Sequence, residues 1–553
     1  MNNAVKAALA LVVTLGAASA CGSSSTAPAS PANREPAPTH PSAERAAAAE
    51  QLLTGPDWYR HAVFYEVNVR SFQDSNGDGI GDLAGLTSRL DYLKGLGVDA
   101  LWLMPIFPTA FKDSGYDIAD YRTIDPAYGD AASFDALVAA AHTRKMRVFM
   151  DLVLNHTSDK HAWFQESRSN KTNPKADWYL WSDTPSRADL GTCGPDEPRF
   201  GAGWSKDETR GQYFFHRFYA EQPDLNYRNP EVVKETLDIA RFWLDRGTDG
   251  FRCDVIGKLF ESPAGCDLIP ETVDYIKKLR AVLNEKSDRV MVAEPSQLDN
   301  SAPYYGDGSN MFHMTFDFGF GYFWTVAFGA GNKKLIDDAI KTSLAYPKGS
   351  QPAQVIGSHD VPRAYPGGDP WRRQNAALLS MTLRGTPFVY YGEEVGLRPG
   401  SQIIVDDRDA QRTPMTWTAA GAGHGFTQGS PWIAFGAAPE ETAVDVLDAD
   451  PKSTLTYYRQ LLAFRRGHAV WGTGDVRVVS LDVSSVVAYV REDAEESYLV
   501  AVNLTEDDQE GVATEALSAP GTRLAFGNGT LDSSAGMVKL QLPARAAAVF
   551  QLR

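Results

Sequence analysis

The sequence predicts an α/β fold: a (β/α)8 TIM barrel with an inserted domain after its third strand and a C-terminal antiparallel β domain. Three observations predict it. From about residue 60 onward, eight short apolar runs alternate with amphipathic helical segments. About 75 residues rich in Trp, Pro, Gly and Asp separate Leu154 from Pro230, too many for a structureless loop. Beyond about residue 470, single-residue alternation of apolar and polar side chains replaces the continuous runs.

The barrel strands are expected at Val63–Val69, Ala100–Met104, Arg147–Leu154, Gly250–Val255, Arg289–Ala293, Phe312–Phe318, Gln354–Gly357 and Pro387–Tyr391. Each is short and continuously apolar, as a parallel strand covered on both faces requires. Helices fall between them. Asn229-Pro230 supplies a cap and an N1 proline, Val233, Leu237, Ala240 and Leu244 recur at helical spacing, and Gly247 closes the helix. Phe134, Leu137, Val138 and Ala141 form a second such face after Ser133, and Leu86, Leu90 and Leu93 a third. In the C-terminal domain, strands are expected at Val476–Val479, Val486–Val490, Tyr498–Leu504 and Val538–Leu542.

The N-terminus carries an export pattern. Lys6 precedes the apolar run Ala7–Leu15, which is too short to span a bilayer. Ala18-Ser19-Ala20-Cys21 resembles a bacterial lipobox, so Cys21 is expected to be lipidated, and acylation there would anchor the chain to a membrane. A Ser-, Ala- and Pro-rich segment follows and cannot bury enough apolar surface to fold. The expected organisation is a signal peptide at 1–21, a disordered tether at 22–55, barrel at 56–155 and 222–468, the insert at 156–221 and the β domain at 469–553. The catalytic body would then lie in the cell envelope, outside the cytoplasm, as a monomer touching membrane only through its lipid.

A net charge of −17 excludes nucleic acid as a partner and disfavours a polyanionic substrate. A neutral substrate is unaffected by that field. Beyond Cys21 the cysteines are Cys193, Cys253 and Cys266, with no CxxC metal spacing. A Cys193–Cys266 disulfide is open to the chain outside the cytoplasm, and Cys253 reads as a packed thiol within a strand.

Barrel chemistry sits at the C-terminal strand ends. The third strand runs into Asp151-Leu152-Val153-Leu154-Asn155-His156, the fourth into Arg252-Cys253-Asp254, the fifth into Ala293-Glu294 and the seventh into Ser358-His359-Asp360. Cleavage of a glycosidic bond needs two carboxyl groups, and retention of configuration needs them roughly 5–5.5 Å apart, a span neighbouring strands supply. Arg252 shares the inward parity of Asp254 and would keep it ionised as a nucleophile. Burial and neighbouring negative charge would raise Glu294, as an acid needs.

After the first strand, Asp74-Ser75-Asn76-Gly77-Asp78-Gly79-Ile80-Gly81-Asp82 has the donor spacing of an EF-hand loop without its last Glu. Asp74, Asn76, Asp78, the Ile80 carbonyl and Asp82 are the expected ligands of a structural Ca²⁺.

These motifs together resemble glycoside hydrolase family 13, the α-amylase superfamily, from about residue 58 to about 470. The resemblance implies Asp254 as nucleophile, Glu294 as general acid/base and Asp360 as the third carboxylate, gripping sugar hydroxyls. His156 and His359 would contact the same sugar, with Arg252 orienting Asp254. Tyr116 and Asp117 would supply a stacking platform and a hydroxyl ligand, and Arg412, in Arg-Thr-Pro-Met, a partner for Asp117. Relatives also carry a structural Ca²⁺ in a similar loop. Gln222-Pro223-Asp224-Leu225-Asn226 resembles the oligo-1,6-glucosidase and intermediate lipoprotein α-amylase groups. The implied function is a retaining α-glucan hydrolase acting on starch-derived glucans or malto-oligosaccharides, with an α-amylase type favoured. The alternatives are an exo-acting α-glucosidase or oligo-1,6-glucosidase, a trehalose-synthase-like glucosyl transferase or isomerase, and, remotely, a non-catalytic glucan-binding lipoprotein. Val255, directly after the nucleophile, points toward α-1,6 preference by the same resemblance.

Overall fold

The computed structural model describes residues 50–553 apart from 192, 194–199, 297–300, 319–332, 348, 364–368, 516, 518–521 and 534–536. Cys21 and nearly all of the expected tether lie outside the described residues. The last few tether residues do not hang free. Leu53 packs against the cluster around Trp58, so ordered packing begins before residue 56.

Eight parallel strands close into a barrel: β1 Phe64–Val67, β2 Ala100–Leu103, β3 Arg147–Val153, β4 Gly250–Asp254, β5 Val290–Ala293, β6 Met314–Phe316, β7 Gln351–Val355 and β8 Thr386–Tyr390. β1 pairs with both β2 and β8, which completes the ring. Seven of the eight lie within the expected runs or one residue beyond. β7 begins three residues early, because Gln351 and Pro352 do not read as strand although the backbone there pairs with Met314 and Thr315.

Strand parity divides the core. Phe64, Trp102, Phe149, Val290, Val292, Phe316, Ala353 and Phe388 fill the lumen. The intervening side chains face the helices in a larger outer cluster. Gly250 belongs to the lumen layer, where a Cβ would lie 1.9 Å from the Val290 carbonyl oxygen and 2.5 Å from the Phe149 ring. Only glycine fits there. Continuing the lumen parity upward brings Glu66, Asp151, Arg252, Asp254 and Glu294 to the open end.

The helix Pro230–Asp245 opens as expected, with the Asn229 side chain accepting from the Glu231 N–H and Pro230 in the first turn. Ala131–Thr143 is capped by Asp130, which accepts the Ser133 N–H. After β3, the chain forms the helix Ala162–Ser169 and a three-stranded antiparallel sheet with Gln212–Phe215 between Trp181–Ser182 and Trp204–Asp207. An antiparallel bridge between His156 and Asp224 pinches the base of this insert. A Cys193–Cys266 disulfide ties it to the loop after β4. Cys253 is buried and unbridged.

The C-terminal region holds a five-stranded antiparallel sheet, with Ser497–Asn503 between Val486–Glu492 and Ala547–Gln551, and a separate three-stranded sheet. Gln509–Val512, Arg523–Gly527, Thr530–Asp532 and Ala547–Gln551 are strands beyond those expected. The middle two are short and half-exposed, so hydrophobic alternation does not mark them. Arg491 donates to the Thr382, Val470 and Gly474 carbonyls and joins this domain to the barrel.

Candidate active site

Register explains how the charged residues meet. Asp151 is the β-ladder partner of Arg252, and Cys253 that of Ala293. Side chains paired in a parallel sheet point the same way, so Asp151 stands beside Arg252 and Glu294 emerges opposite Asp254. Arg252 Nη1 lies 2.9 Å from Asp151 Oδ1 and 2.5 Å from Asp254 Oδ1, while Nη2 lies 2.8 Å from Glu294 Oε2. One guanidinium thus holds the two carboxylates side by side. The side chains of Asp254, Glu294 and Asp360 keep 10, 16 and 35% exposure, so all three open to the mouth.

The electrostatics separate the three. Burial pushes the Asp254 carboxyl up to about 6, with Arg252 pulling the other way and Asp151 adding to the rise. Arg252 pulls Asp254 toward the ionised form as expected, while burial is the larger influence, and the guanidinium is shared with Asp151 and Glu294. Burial pushes Glu294 up to about 7 against the pull of Arg252. Burial would also raise Asp360, but His359, Arg408 and Arg412 outweigh it and hold this carboxyl well below the usual range. Near neutral pH the pattern is two anions beside one group that carries a proton about half the time.

Around the carboxylates, Tyr116 stacks on His359 with ring centroids 5.2 Å apart and planes at 15°. His156 lies 3.1 Å from both the Tyr116 carbonyl and Gln222 Nε2, and burial lowers its imidazole to about 4, so it is neutral. Arg412 Nη2 reaches Asp360 at 3.4 Å and Nε donates to the His359 carbonyl at 3.2 Å.

Asp117 departs from its expected role. It is fully buried and accepts from Thr109 Oγ1 and from the main-chain N–H groups of Ala110, Lys112 and Asp113. These bonds turn it into its own loop, away from Arg412. The carboxylate that the loop presents to the site is Asp113, which takes Arg408 Nη2 and, at 3.0 Å, Gln222 Nε2. Arg408 also donates to Asp360 at 3.0 Å and Asp406 at 2.5 Å. Asp113, Arg408 and Asp406 sit in loops that carry no strand-end signal. Their only sequence trace is proximity to Tyr116 and Arg412.

The 74–82 loop is closed by its own hydrogen bonds and by Thr427, whose hydroxyl donates to Asp74 at 2.5 Å. Asp74 accepts from the N–H groups of Asn76, Gly77 and Gly79, and Asp82 from those of Ser75 and Gly85, capping Leu83–Ser88. Among the described residues no three acidic, His or Cys side chains converge as a metal site.

A model of the alpha amylase catalytic domain matches residues 66–474. The chain belongs to the α-amylase family. A trehalose synthase/amylase TreS of Mycolicibacterium smegmatis is 38% identical over 502 residues, covering 82% of this chain and 84% of that one. An oligo-1,6-glucosidase of Heyndrickxia coagulans is 34% identical, covering 82% and 93%. The crystal structure of the α-glucosyl transfer enzyme XgtA superposes with a TM-score of 0.80 at 34% identity, over 90% of this chain and all of that one. Membership of the family makes the chain an enzyme acting on α-glucosidic bonds. These relatives do not support the favoured α-amylase type. They fit the glucosidase and transferase alternatives better.

Proposed function

We propose that the chain is a retaining, exo-acting enzyme of α-glucosidase type that takes one terminal glucosyl unit from a short α-glucoside. The observation that carries this reading is Arg408. It joins Asp113, in the loop after β2, to Asp406 and Asp360, from the loops after β8 and β7, walling one side of the mouth. A wall beside the catalytic carboxylates favours a pocket that admits a chain end over a cleft that a polymer threads. In this reading Glu294 protonates the glycosidic oxygen while Asp254 attacks the anomeric carbon, and Asp360 grips ring hydroxyls. The leaving sugar departs, and Glu294 then removes a proton from the incoming nucleophile as it displaces Asp254.

Water as that nucleophile gives hydrolysis, and a sugar hydroxyl gives transfer or isomerisation. The second outcome is favoured by the trehalose synthase and glucosyl-transfer relatives. Incubation with maltose, isomaltose, maltotriose and soluble starch tests the reading. Glucose, or glucosyl-transfer products, should form from the disaccharides faster than from starch. Internal cuts that turn starch into long fragments, with disaccharides untouched, would overturn it.

Three further properties belong to the same proposal. Cys21 is the lipid attachment point, placing the enzyme on the outer side of a membrane, on the strength of the lipobox resemblance. No helix of the described residues is long and apolar enough to cross a membrane. The body acts as a monomer. The loop 74–82 holds a structural Ca²⁺, since its donors are the hard oxygens that this ion prefers and Asp78, with one hydrogen bond accepted at each oxygen, keeps lone pairs free.

A further inference from the structure

Glu66, on β1, has no place in the acid/base scheme, yet it is buried directly beneath the mouth. Its Oε1 lies 2.5 Å from His359 Nδ1 and 3.3 Å from the His359 main-chain N–H. On the other side of the ring, His359 Nε2 is 2.7 Å from the Tyr116 hydroxyl and 3.3 Å from Asp360 Oδ2. The Tyr116 hydroxyl has a single proton, and Asp151 Oδ2 takes it at 2.9 Å. Asp151 is itself gripped by Arg252, which donates to both its oxygens, and as the carboxylate that this guanidinium pairs with it accepts the tyrosine proton. Tyr116 can then meet His359 only as an acceptor, so Nε2 carries a proton. Nδ1, facing a carboxylate, carries another.

We propose that Glu66 is a positioning residue that holds His359 as an imidazolium, so that the ring donates at once to Tyr116 and toward Asp360. The proposal rests on the glucosidase reading for its catalytic consequence, but the proton count follows from the hydrogen-bond geometry with Asp151 and Glu66 as carboxylates. Glu66 never reaches the sugar. It acts by fixing the charge and tilt of a ring that the sugar touches.

The surroundings support this assignment. Burial and Arg252 act to discharge the imidazole, and Asp360 and Glu66 outweigh them, raising His359 above its ordinary value. Trp102, from β2, meets the ring edge-on with centroids 5.8 Å apart. Arg412 donates to the His359 carbonyl, at the ring's own backbone. Glu393 also faces Glu66, and burial pushes its carboxyl far up against the pull of Arg363.

Neutron diffraction from the full chain at neutral pH tests the proposal without any turnover. Deuterons on both Nδ1 and Nε2 of His359 are expected, and a deuteron on one nitrogen only would overturn it. This result is readable even if the chain proves inactive on every α-glucoside, so failure here and failure of the functional reading are distinct. In Glu66→Gln, the amide oxygen still accepts a hydrogen bond but the anion is gone. His359 should lose one deuteron, and the pH at which its ring titrates, read from its imidazole nuclei by NMR, should fall by about one unit or more. Glu66→Asp, which keeps the charge, should restore that titration. An unchanged His359 titration in a folded Glu66→Gln chain would also overturn the proposal.

Discussion

Val255 donates its main-chain N–H to Glu294 Oε2 at 3.0 Å, from a backbone held at φ 33°, in the left-handed region. A β-branched residue rarely occupies that region, and the conformation aims the amide that follows Asp254 at the Glu294 carboxyl. Even with this bond and the Arg252 contact, burial keeps the Glu294 carboxyl at about 7. A carboxyl raised on folding contributes stability that is present below its ordinary range and lost as pH rises through the folded value. Glu294→Gln should therefore be more stable than the parent by about 1–3 kcal/mol at pH 8, and equal to it near pH 4. Denaturant melts at the two pH values check this, and a gain that is the same at both would reject it.

Activity should follow a bell. Asp254, pushed up to about 6, must be ionised to attack, and Glu294, at about 7, must hold its proton to assist departure. kcat/KM should fall below about pH 6 and above about pH 7. Asp254→Asn should lose roughly 10⁴-fold or more of kcat while still binding sugar. Measurable turnover near the parent rate in that variant would displace Asp254 from its role.

Asp113 and Asp117 should separate cleanly. Asp113→Ala removes the anchor of the Arg408 wall and should lower kcat/KM on maltose by about 100-fold with little change in melting. Asp117→Ala strands a hydroxyl and three N–H donors in a buried loop and should cost about 2–4 kcal/mol of stability. Steady-state kinetics and melting on the two variants decide it.

The Cys193–Cys266 bond spans 73 residues and fastens the insert to the loop after β4. Its loss should destabilise the chain by about 2–4 kcal/mol. Cys193→Ser, compared with the parent under oxidising and reducing conditions, should melt as the reduced parent does. Cys253 is buried and should resist alkylation in the native state.

Chelation addresses the 74–82 loop. If Ca²⁺ is bound there, excess chelator should lower the melting temperature, and Asp78→Ala should abolish that sensitivity. Unchanged melting together with a metal-free protein by elemental analysis removes calcium from the scheme.

The barrel was legible because its signal is local. Short apolar runs such as Gly250–Asp254, and caps such as Asn229-Pro230, depend on residues that are neighbours in the chain. The converging carboxylates were legible for a related reason, since strand parity and the rule that chemistry sits at strand C-termini locate Asp254 and Glu294 without coordinates. Residues whose environment comes from distant segments were not. The sequence places Asp113 and Asp117 four positions apart in one loop, and nothing in that spacing says which carboxylate the main chain consumes. Glu66 reads as a strand residue until His359, 293 positions later, is brought to its oxygen. The balance of charge at Asp254 was likewise decided by tertiary structure. Desolvation and the sharing of Arg252 among three acids are sums over groups that only the folded chain assembles, and such sums have no trace in local sequence.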